Sequence, residues 1–205
     1  MLNVQTDDWQ LSTYEIEGSP IYIIDNFYKD PTSVYEYSIN PLPEYWKQSP
    51  SGYNSEKYED RRRRERVVDL IPIYNQLSSI CRQSPEFNDA YCTNVTKFID
   101  REYNNFDNKY WWPHRDIGYN GIVYFNDCTG TNLYAQDSLN PMLPEYMCPW
   151  VFKKDWNCIH TVQSKHNRCV LFDGKKFPHS MEVVDDRNFK DYRVNQVYFF
   201  NGIEI

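Results

Sequence analysis

The second half of the chain contains a series of short apolar segments, which limits the possible folds more than any other feature of the sequence. From about residue 91, segments rich in β-branched and aromatic residues follow one another as CTNVTKFI, GIVYFN, RCVLFDG and RVNQVYFFNG. Segments of this length and composition are typical of β-strands. They predict a mostly β domain in which the strands form a sandwich or a barrel.

The N-terminal part of the chain instead predicts a strand followed by helices. IYIIDNFYKDP indicates a strand and a turn, and Asp30 can cap a helix that begins at Pro31 and ends before Pro41. A polar loop, rich in Pro and Ser, is expected over residues 41–58.

A second helix is indicated by apolar residues that recur at helical spacing. These residues are Leu70, Ile73, Tyr74, Leu77, Ile80 and Cys81. Asp69 is a suitable cap for this helix. The chain shows no internal repeat and no linker, so we expect a single domain, 1–205. In it, residues 1–90 would form a strand and a helical buttress that pack on a β core of residues 91–205.

Residues 127–165, between GIVYFN and RCVLFDG, are expected to be irregular because they are rich in Asn, Pro, Asp and aromatic residues. Long loops of this kind inside a compact domain are usually functional or mobile. The Tyr and Trp residues within 134–156 are compatible with a substrate lid, a small hydrophobic cluster or a dimer contact.

The charge of the chain disfavours general binding to nucleic acid. The sequence has 29 acidic and 22 basic residues and a net charge of -7, which repels phosphate backbones. A basic segment, Arg61–Arg66 in EDRRRRER, is an exception to this acidic character. The interleaved Glu59, Asp60 and Glu65 indicate a solvated, ion-paired surface that leads into the second helix. A nucleic-acid substrate is therefore only the minor alternative.

We expect a cytoplasmic protein that does not span a membrane. No segment approaches the ~18 consecutive apolar residues of a membrane span, and the N-terminal residues lack the basic and apolar regions of a signal peptide. The six cysteines include no CxxC pair, which argues against a disulfide framework and against a zinc knuckle. Free thiols, several of them buried, are expected instead.

Two of the histidines lie next to residues that suit metal binding. His114 and Asp116 occur in YWWPHRD, and side chains two residues apart on a strand point to the same face. His179 follows an apolar segment in LFDGKKFPHS. Two imidazoles and one carboxylate on one side of a metal form the facial triad, which suits iron(II) and leaves coordination positions open. The other histidines, His160 and His166, are expected to be surface or hairpin polar groups.

A His-x-Asp tripeptide alone is a weak signal, because a surface hydrogen bond explains it equally well. Arg193 strengthens the signal. It begins the last apolar segment, RVNQVYFF, and arginine is suited to bidentate binding of a carboxylate.

The order of these motifs resembles that of the 2-oxoglutarate- and iron-dependent dioxygenases, in particular the prolyl-hydroxylase-like branch. In that branch a Tyr-containing loop precedes His-x-Asp. After His-x-Asp come an apolar strand ending Tyr-Leu-Asn, a strand with the distal His and a final strand with Arg. Here the chain reads IDREYNNFDNKYWWPHRD, GIVYFN, RCVLFDGKKFPHS and RVNQVYFF. The opening IYIIDNFYKDP is similar to the entry strand and helix of related small oxygenases, some of them encoded by bacteriophages. The resemblance covers more than half of the chain.

The resemblance implies a double-stranded β-helix, a jelly-roll or cupin-like fold, that binds Fe(II), 2-oxoglutarate and O2. It implies that His114, Asp116 and His179 hold the iron. Arg193 and Tyr124 would bind the distal carboxylate of 2-oxoglutarate, and ascorbate is a candidate reductant. Further residues that would line the cosubstrate site are Tyr103 or Tyr110, and Asn195.

The implied reaction hydroxylates a protein side chain or a small metabolite while 2-oxoglutarate is converted to succinate and carbon dioxide. Two departures from the family pattern leave alternatives open. TGTNLY replaces the family's Gly-Gly segment, and the longer gap before Arg193 makes Arg187 a second candidate for the carboxylate partner, although Arg187 lacks a strand context. The alternative functions are oxidation of a nucleobase or nucleotide and a non-catalytic β-helix module for binding or assembly. The prime substrate is not identified by any motif.

Overall fold

The computed structural model describes residues 7–39, 47–48, 58–66, 71–82, 90–98, 107–116, 118–127, 129–136 and 150–200. Within these residues the protein is mostly β, as the apolar segments predict. The strands are β1 (Gln10–Ile16), β2 (Ser19–Asp25), β3 (Lys47–Gln48), β4 (Tyr58–Arg66), β5 (Ala90–Phe98), β6 (Lys109–Trp111), β7 (Tyr119–Tyr124), β8 (Thr131–Tyr134), β9 (Trp150–Phe152), β10 (Cys158–Val162), β11 (Arg168–Asp173), β12 (His179–Met181) and β13 (Arg193–Phe200). The helices are α1 (Pro31–Ile39), α2 (Ile71–Cys81) and the short α3 (Arg187–Lys190), and a 3-10 turn spans Lys153–Asp155.

Where the structure describes the chain, its strands form three antiparallel sheets. The large sheet has the strand order β1-β2-β11-β7-β13-β5-β4-β3, the second sheet has the order β10-β8-β12, and the small sheet pairs β6 with β9. Strands from before residue 90 therefore join the same sheet as the C-terminal apolar segments. The N-terminal part contributes strands as well as helices, and β1 was not predicted from the sequence.

One apolar cluster lies between the large sheet and the second sheet. It combines Ile122 of β7, Phe172 of β11 and Val197 of β13 with Leu133 of β8 and Val162 of β10. Along each strand of the large sheet these residues alternate with side chains on the opposite face, as a period of two requires. The two sheets pack over a shared apolar interior, an arrangement compatible with a β-sandwich.

Helices cover the opposite face of the large sheet. Ile73, Leu77 and Cys81 of α2 are buried against it together with Val34 of α1. The three residues of α2 are four positions apart, so they lie on one side of the helix. Among the described residues, α1 and α2 thus pack on the face of the large sheet opposite the second sheet. In the described parts of the chain, no helix is long and apolar enough to cross a membrane.

Helix α1 begins where the sequence predicts it. The carboxylate of Asp30 accepts hydrogen bonds from the backbone N–H of Ser33 at 3.0 Å and from the Ser33 hydroxyl at 2.6 Å. Pro31 takes the first helical position, where a missing N–H costs nothing. The cap predicted for α2, Asp69, lies outside the described residues.

The structure corrects one prediction about a loop and adds a strand that the sequence did not predict. Residues 127–165 are not irregular throughout, because β8, β9 and β10 lie within them. The arginine-rich run is part of β4, which pairs with β5 along its length and with β3 on its other side. β4 contains one aromatic residue and no β-branched residue, so its own sequence does not favour a strand, and pairing with its neighbours holds it in one. The side chains of β4, and with them the predicted ion pairing, lie outside the described ones.

Candidate metal centre

His114 and His179 lie side by side because their backbones form a short antiparallel bridge. The N–H of His114 donates to the carbonyl of His179 at 3.0 Å, and the N–H of His179 donates to the carbonyl of His114 at 2.8 Å. Their ring centroids are 4.5 Å apart. His179 begins β12, whereas His114 and Asp116 belong to no strand. The strand geometry expected for His-x-Asp is therefore wrong, and the bridge brings the imidazoles together instead.

Asp116 is brought to the same place by the loop that follows β11. Its backbone N–H donates to the carbonyl of Gly174 at 3.1 Å. Its Oδ2 lies 3.2 Å from Nε2 of His179, and the ligand atoms of His114, Asp116 and His179 all lie within 4.8 Å of one another. The three residues singled out in the sequence thus form one cluster in the fold.

Each imidazole is held by the carbonyl two residues before it. His114 Nδ1 lies 3.0 Å from the carbonyl oxygen of Trp112. His179 Nδ1 lies 3.2 Å from the carbonyl oxygen of Phe177. A carbonyl oxygen only accepts, so each Nδ1 carries a proton and each neutral ring has its lone pair on Nε2. Hydrogen bonds of this kind fix the tautomer and the orientation of metal-binding histidines.

The carbonyl of Trp112 owes its position to an unusual backbone conformation. Trp112 has a φ of 46°, in the left-handed region, which costs a residue other than Gly about 1–2 kcal/mol. Such strain is retained where the surrounding structure holds it in place. Here the neighbouring Trp111 is buried, with its ring packed edge-on against Trp150 at a centroid distance of 5.1 Å. Trp111 thus belongs to the apolar packing, and Trp112 orients His114 through its backbone.

The surroundings of Asp116 favour an ionised carboxylate. Burial by itself would raise the pKa of Asp116. Two other effects outweigh burial and hold this pKa well below its usual range. They are the interaction with His179 and His114, when these imidazoles are protonated, and the hydrogen bond from the Asn120 amide. A cation on the imidazole nitrogens would act in the same direction, so the carboxylate stays ionised in either case.

Asn120 is a further polar residue of the cluster, and the sequence analysis missed it. Its Nδ2 donates to Oδ2 of Asp116 and lies 3.2 Å from Nε2 of His179. Asn120 is 1% exposed, and within the described part of the chain its Oδ1 has no hydrogen-bond partner. It points to the same side of β7 as Ile122 and Tyr124. A polar residue on the inward face of an apolar strand was the signal that could have identified it.

The donor set of the cluster fits a metal ion. An octahedral ion with bonds of about 2.1 Å has neighbouring ligand atoms roughly 3 Å apart, close to the 3.2 Å between Asp116 and His179. Two imidazoles and one carboxylate, without a thiolate, are ligands for a first-row divalent metal. His114, Asp116 and His179 can therefore hold such an ion.

Arg193 begins β13 and is buried, with 7% of its surface exposed. Its Nε donates to the carbonyl of Thr129 at 3.2 Å, and its Nη1 donates to Oδ1 of Asn195 at 2.6 Å. The guanidinium also lies over the ring of Tyr124, 5.7 Å from its centroid. These partners are neutral, and among the described residues Arg193 forms no ion pair. A buried charge without a counter-charge is costly, so Arg193 is suited to an anionic ligand.

The other predicted cosubstrate residues are placed differently from one another. Tyr124 is buried beside Arg193, and its hydroxyl lies 2.6 Å from the Thr131 hydroxyl. Tyr110 lies on β6 in the small sheet and packs edge-on against Tyr134 at 5.0 Å. Burial raises the pKa of Tyr110. Tyr103 lies outside the described residues.

Arg187, the second candidate for a carboxylate partner, already has one. It lies in α3, is exposed, and its Nη2 is 2.7 Å from Oδ2 of Asp185. His160 is half-buried, with Nε2 at 2.9 Å from the Tyr14 hydroxyl. His166 is exposed and donates from Nδ1 to the Phe125 carbonyl at 2.7 Å. Neither histidine belongs to the metal cluster.

Comparisons of the sequence with models of known protein families and with curated proteins found no match.

Proposed function

We propose that the protein is an Fe(II)- and 2-oxoglutarate-dependent dioxygenase with a double-stranded β-helix fold. It would hydroxylate a protein side chain or a small metabolite. The observation that carries the proposal is the convergence of His114, Asp116 and His179, with both imidazoles oriented through Nδ1 and the carboxylate ionised. Two imidazoles and one carboxylate on one side of a metal are the ligands of non-haem iron(II) oxygenases. Bound iron and 2-oxoglutarate would supply the oxidising chemistry.

The position of Arg193 supports a dicarboxylate cosubstrate. Arg193 and Asn195 lie on the face of β13 that carries Val197, which is part of the inter-sheet cluster. Asn195 pairs with Tyr124, and β7 runs from there back to Asn120 at the metal cluster. The guanidinium of Arg193 lies over the ring of Tyr124, which is four strand residues, or roughly 13 Å, from Asn120. A short dicarboxylate that is bound by this guanidinium and chelates the metal would extend along β7 between the two.

The residues around Arg193 hold the guanidinium ready for a carboxylate. A guanidinium has five N–H donors, and Thr129 and Asn195 take one each. Among the described residues no further partner takes the remaining donors, so they can bind both oxygens of the distal carboxylate. The inter-sheet interior is apolar, and a dry environment strengthens such a charged contact. Arg193 would thus bind and orient 2-oxoglutarate, with Tyr124 beside it.

The proposal is tested by adding Fe(II) and 2-oxoglutarate to the anaerobic protein and recording its visible spectrum. We expect the weak metal-to-ligand charge-transfer band of a chelated 2-oxoglutarate, and succinate on exposure to air. His114→Ala and Asp116→Ala should lose iron, whereas His166→Ala, which changes an exposed histidine outside the cluster, should retain it. No band and no succinate with the unchanged protein would sink the proposal. Iron that stays bound after the triad substitutions would show that the ligands are misassigned.

The substrate class is then open to a direct screen. Succinate release is measured with panels of peptides, metabolites and nucleotides, relative to the rate without any substrate. Stimulation by peptides or metabolites is the expected result. Stimulation by nucleotides alone would favour the alternative substrate class.

A further inference from the structure

We propose that Asn120 is a positioning residue for the metal ligands. Its amide N–H would hold the carboxylate of Asp116 in place. When the metal binds Nε2 of His179, the contact between Asn120 and that nitrogen would be lost. The inference rests on the metal centre of the proposed function, but not on 2-oxoglutarate or on hydroxylation.

The amide nitrogen of Asn120 contacts a potential metal-binding atom of both Asp116 and His179. It donates to Oδ2 of Asp116 and lies 3.2 Å from Nε2 of His179. A carboxylate oxygen has two lone pairs, so Oδ2 can accept from Asn120 and bind a metal at the same time. The unprotonated nitrogen of an imidazole has one lone pair. Metal binding must therefore break the contact with His179 and can leave the contact with Asp116 intact.

The loop after β11 keeps the amide against Asp116. A Cβ atom placed on Gly174 would lie 2.7 Å from Nδ2 of Asn120 and 2.9 Å from the carbonyl oxygen of Gly118. The backbone of Gly174 thus packs directly on the amide and leaves no space for a side chain. The carbonyl of the same glycine accepts the N–H of Asp116 at 3.1 Å. Asp116 is therefore held by its backbone through Gly174 and by its carboxylate through Asn120.

The other end of the amide argues against a role in packing alone. Oδ1 of Asn120 is buried and has no hydrogen-bond partner in the described part of the chain, although most buried polar groups have one. The fold thus tolerates an unpaired acceptor while Nδ2 is directed at the ligand atoms. This is expected of a side chain whose orientation serves the metal centre and not its own hydrogen bonding.

Two opposing effects on metal affinity can be compared in size. Giving up one neutral hydrogen bond, the contact with His179, corresponds to roughly two- to tenfold in a binding constant. Loss of an outer hydrogen-bond partner of a ligand typically lowers metal affinity about 10- to 100-fold. The orienting effect is the larger one. Removal of the Asn120 amide should therefore weaken metal binding on balance.

The test uses Mn(II), which reports binding without turnover. The affinity of the full chain, of Asn120→Leu and of Asn132→Leu is measured from the electron paramagnetic resonance signal of free Mn(II). Asn132 is the matched control because it is also a buried amide. Its Oδ1 accepts from the Thr161 hydroxyl at 2.8 Å and its Nδ2 faces the Tyr134 hydroxyl. In the described part of the chain its side chain forms no hydrogen bond with His114, Asp116 or His179. Thermal unfolding without Mn(II) records the cost of each substitution to the fold.

We expect Asn120→Leu to bind Mn(II) about tenfold more weakly or worse, and Asn132→Leu to stay within about threefold of the unchanged chain. Equal or tighter binding by Asn120→Leu would overturn the inference while leaving the metal centre in place. An equal loss in both variants would overturn it too, because a general effect on the fold would then explain the result. If the unchanged chain binds no Mn(II), the inference and the proposed metal centre both fail. If Asn120→Leu does not fold, Asn120→Ala and Asn132→Ala are compared by the same criterion.

Discussion

Under the proposed function, replacement of Arg193 by methionine should separate cosubstrate binding from metal binding. Arg193→Met removes the guanidinium but keeps an unbranched apolar side chain over the ring of Tyr124. Thr129 and Asn195 occupy only part of the donors of this guanidinium, so the rest can bind both oxygens of a carboxylate. One hydrogen bond to a charged group contributes about 1.5–3 kcal/mol. A loss of about 3 kcal/mol for the pair corresponds to roughly hundredfold weaker binding of 2-oxoglutarate.

The assay is an anaerobic titration of the Fe(II)-loaded protein with 2-oxoglutarate, followed through the charge-transfer band. Iron content should be unchanged in Arg193→Met, because the substitution leaves the metal ligands intact. Arg187→Met is the control, since Arg187 is exposed and paired with Asp185. Binding of 2-oxoglutarate by Arg193→Met within about threefold of the unchanged protein would refute the reasoning. Weakened binding in Arg187→Met alone would transfer the role to Arg187.

Two further predictions concern the fold. The hydrogen bond from Arg168 to Asp25, at 2.7 Å, lowers the pKa of Asp25. Because the folded pKa lies below the unfolded value of about 3.9, this contact adds stability above pH 4 and loses it as the pH falls further. Asp25→Asn should therefore lower the free energy of unfolding by about 1 kcal/mol at pH 7 and by progressively less below pH 4, measured by urea unfolding; a difference that does not vary with pH would contradict this. Leu77→Ala should cost about 2–5 kcal/mol in the same assay, because Leu77 is fully buried between α2 and the large sheet. Leu11→Ala, at a residue 51% exposed on β1, should cost less than about 0.5 kcal/mol, and equal costs would refute the buttress.

The elements predicted correctly are those with a local signal. α1 has its cap at Asp30 and Pro31, and the apolar residues of α2 recur at helical spacing. The segments that became β7, β11 and β13 are apolar and β-branched. β4 lacks any such signal, because its arginines favour no strand and only pairing with β5 and β3 holds it in one. β8 and β10 were not predicted for a similar reason. Their sequences contain polar residues that are also common in loops, so they are recognised as strands only once their sheet partners are known.

The candidate site divides in the same way. The residue types could be predicted from the sequence, because His114, Asp116, His179 and Arg193 occur in an ordered series. Their arrangement could not be predicted. A backbone bridge and the loop at Gly174 bring the metal ligands together, and not the alternation of side chains along a strand. Asn120 belongs to no motif. Its position on the inward face of β7 marks it as unusual, and only its contacts show that it lies against the metal ligands.

The sequence by itself determined the chemistry available to this protein: two imidazoles, a carboxylate and an arginine on a mostly β chain. Only the tertiary structure decided that the three ligand groups converge, that each imidazole Nδ1 is bound by a backbone carbonyl, and that Arg193 is buried without an ion pair among the described residues. The physical reason is the range of the interactions. Side-chain chemistry and strand or helix propensity are properties of neighbouring residues. Hydrogen-bond partners, burial and charge compensation depend on residues far apart in the chain.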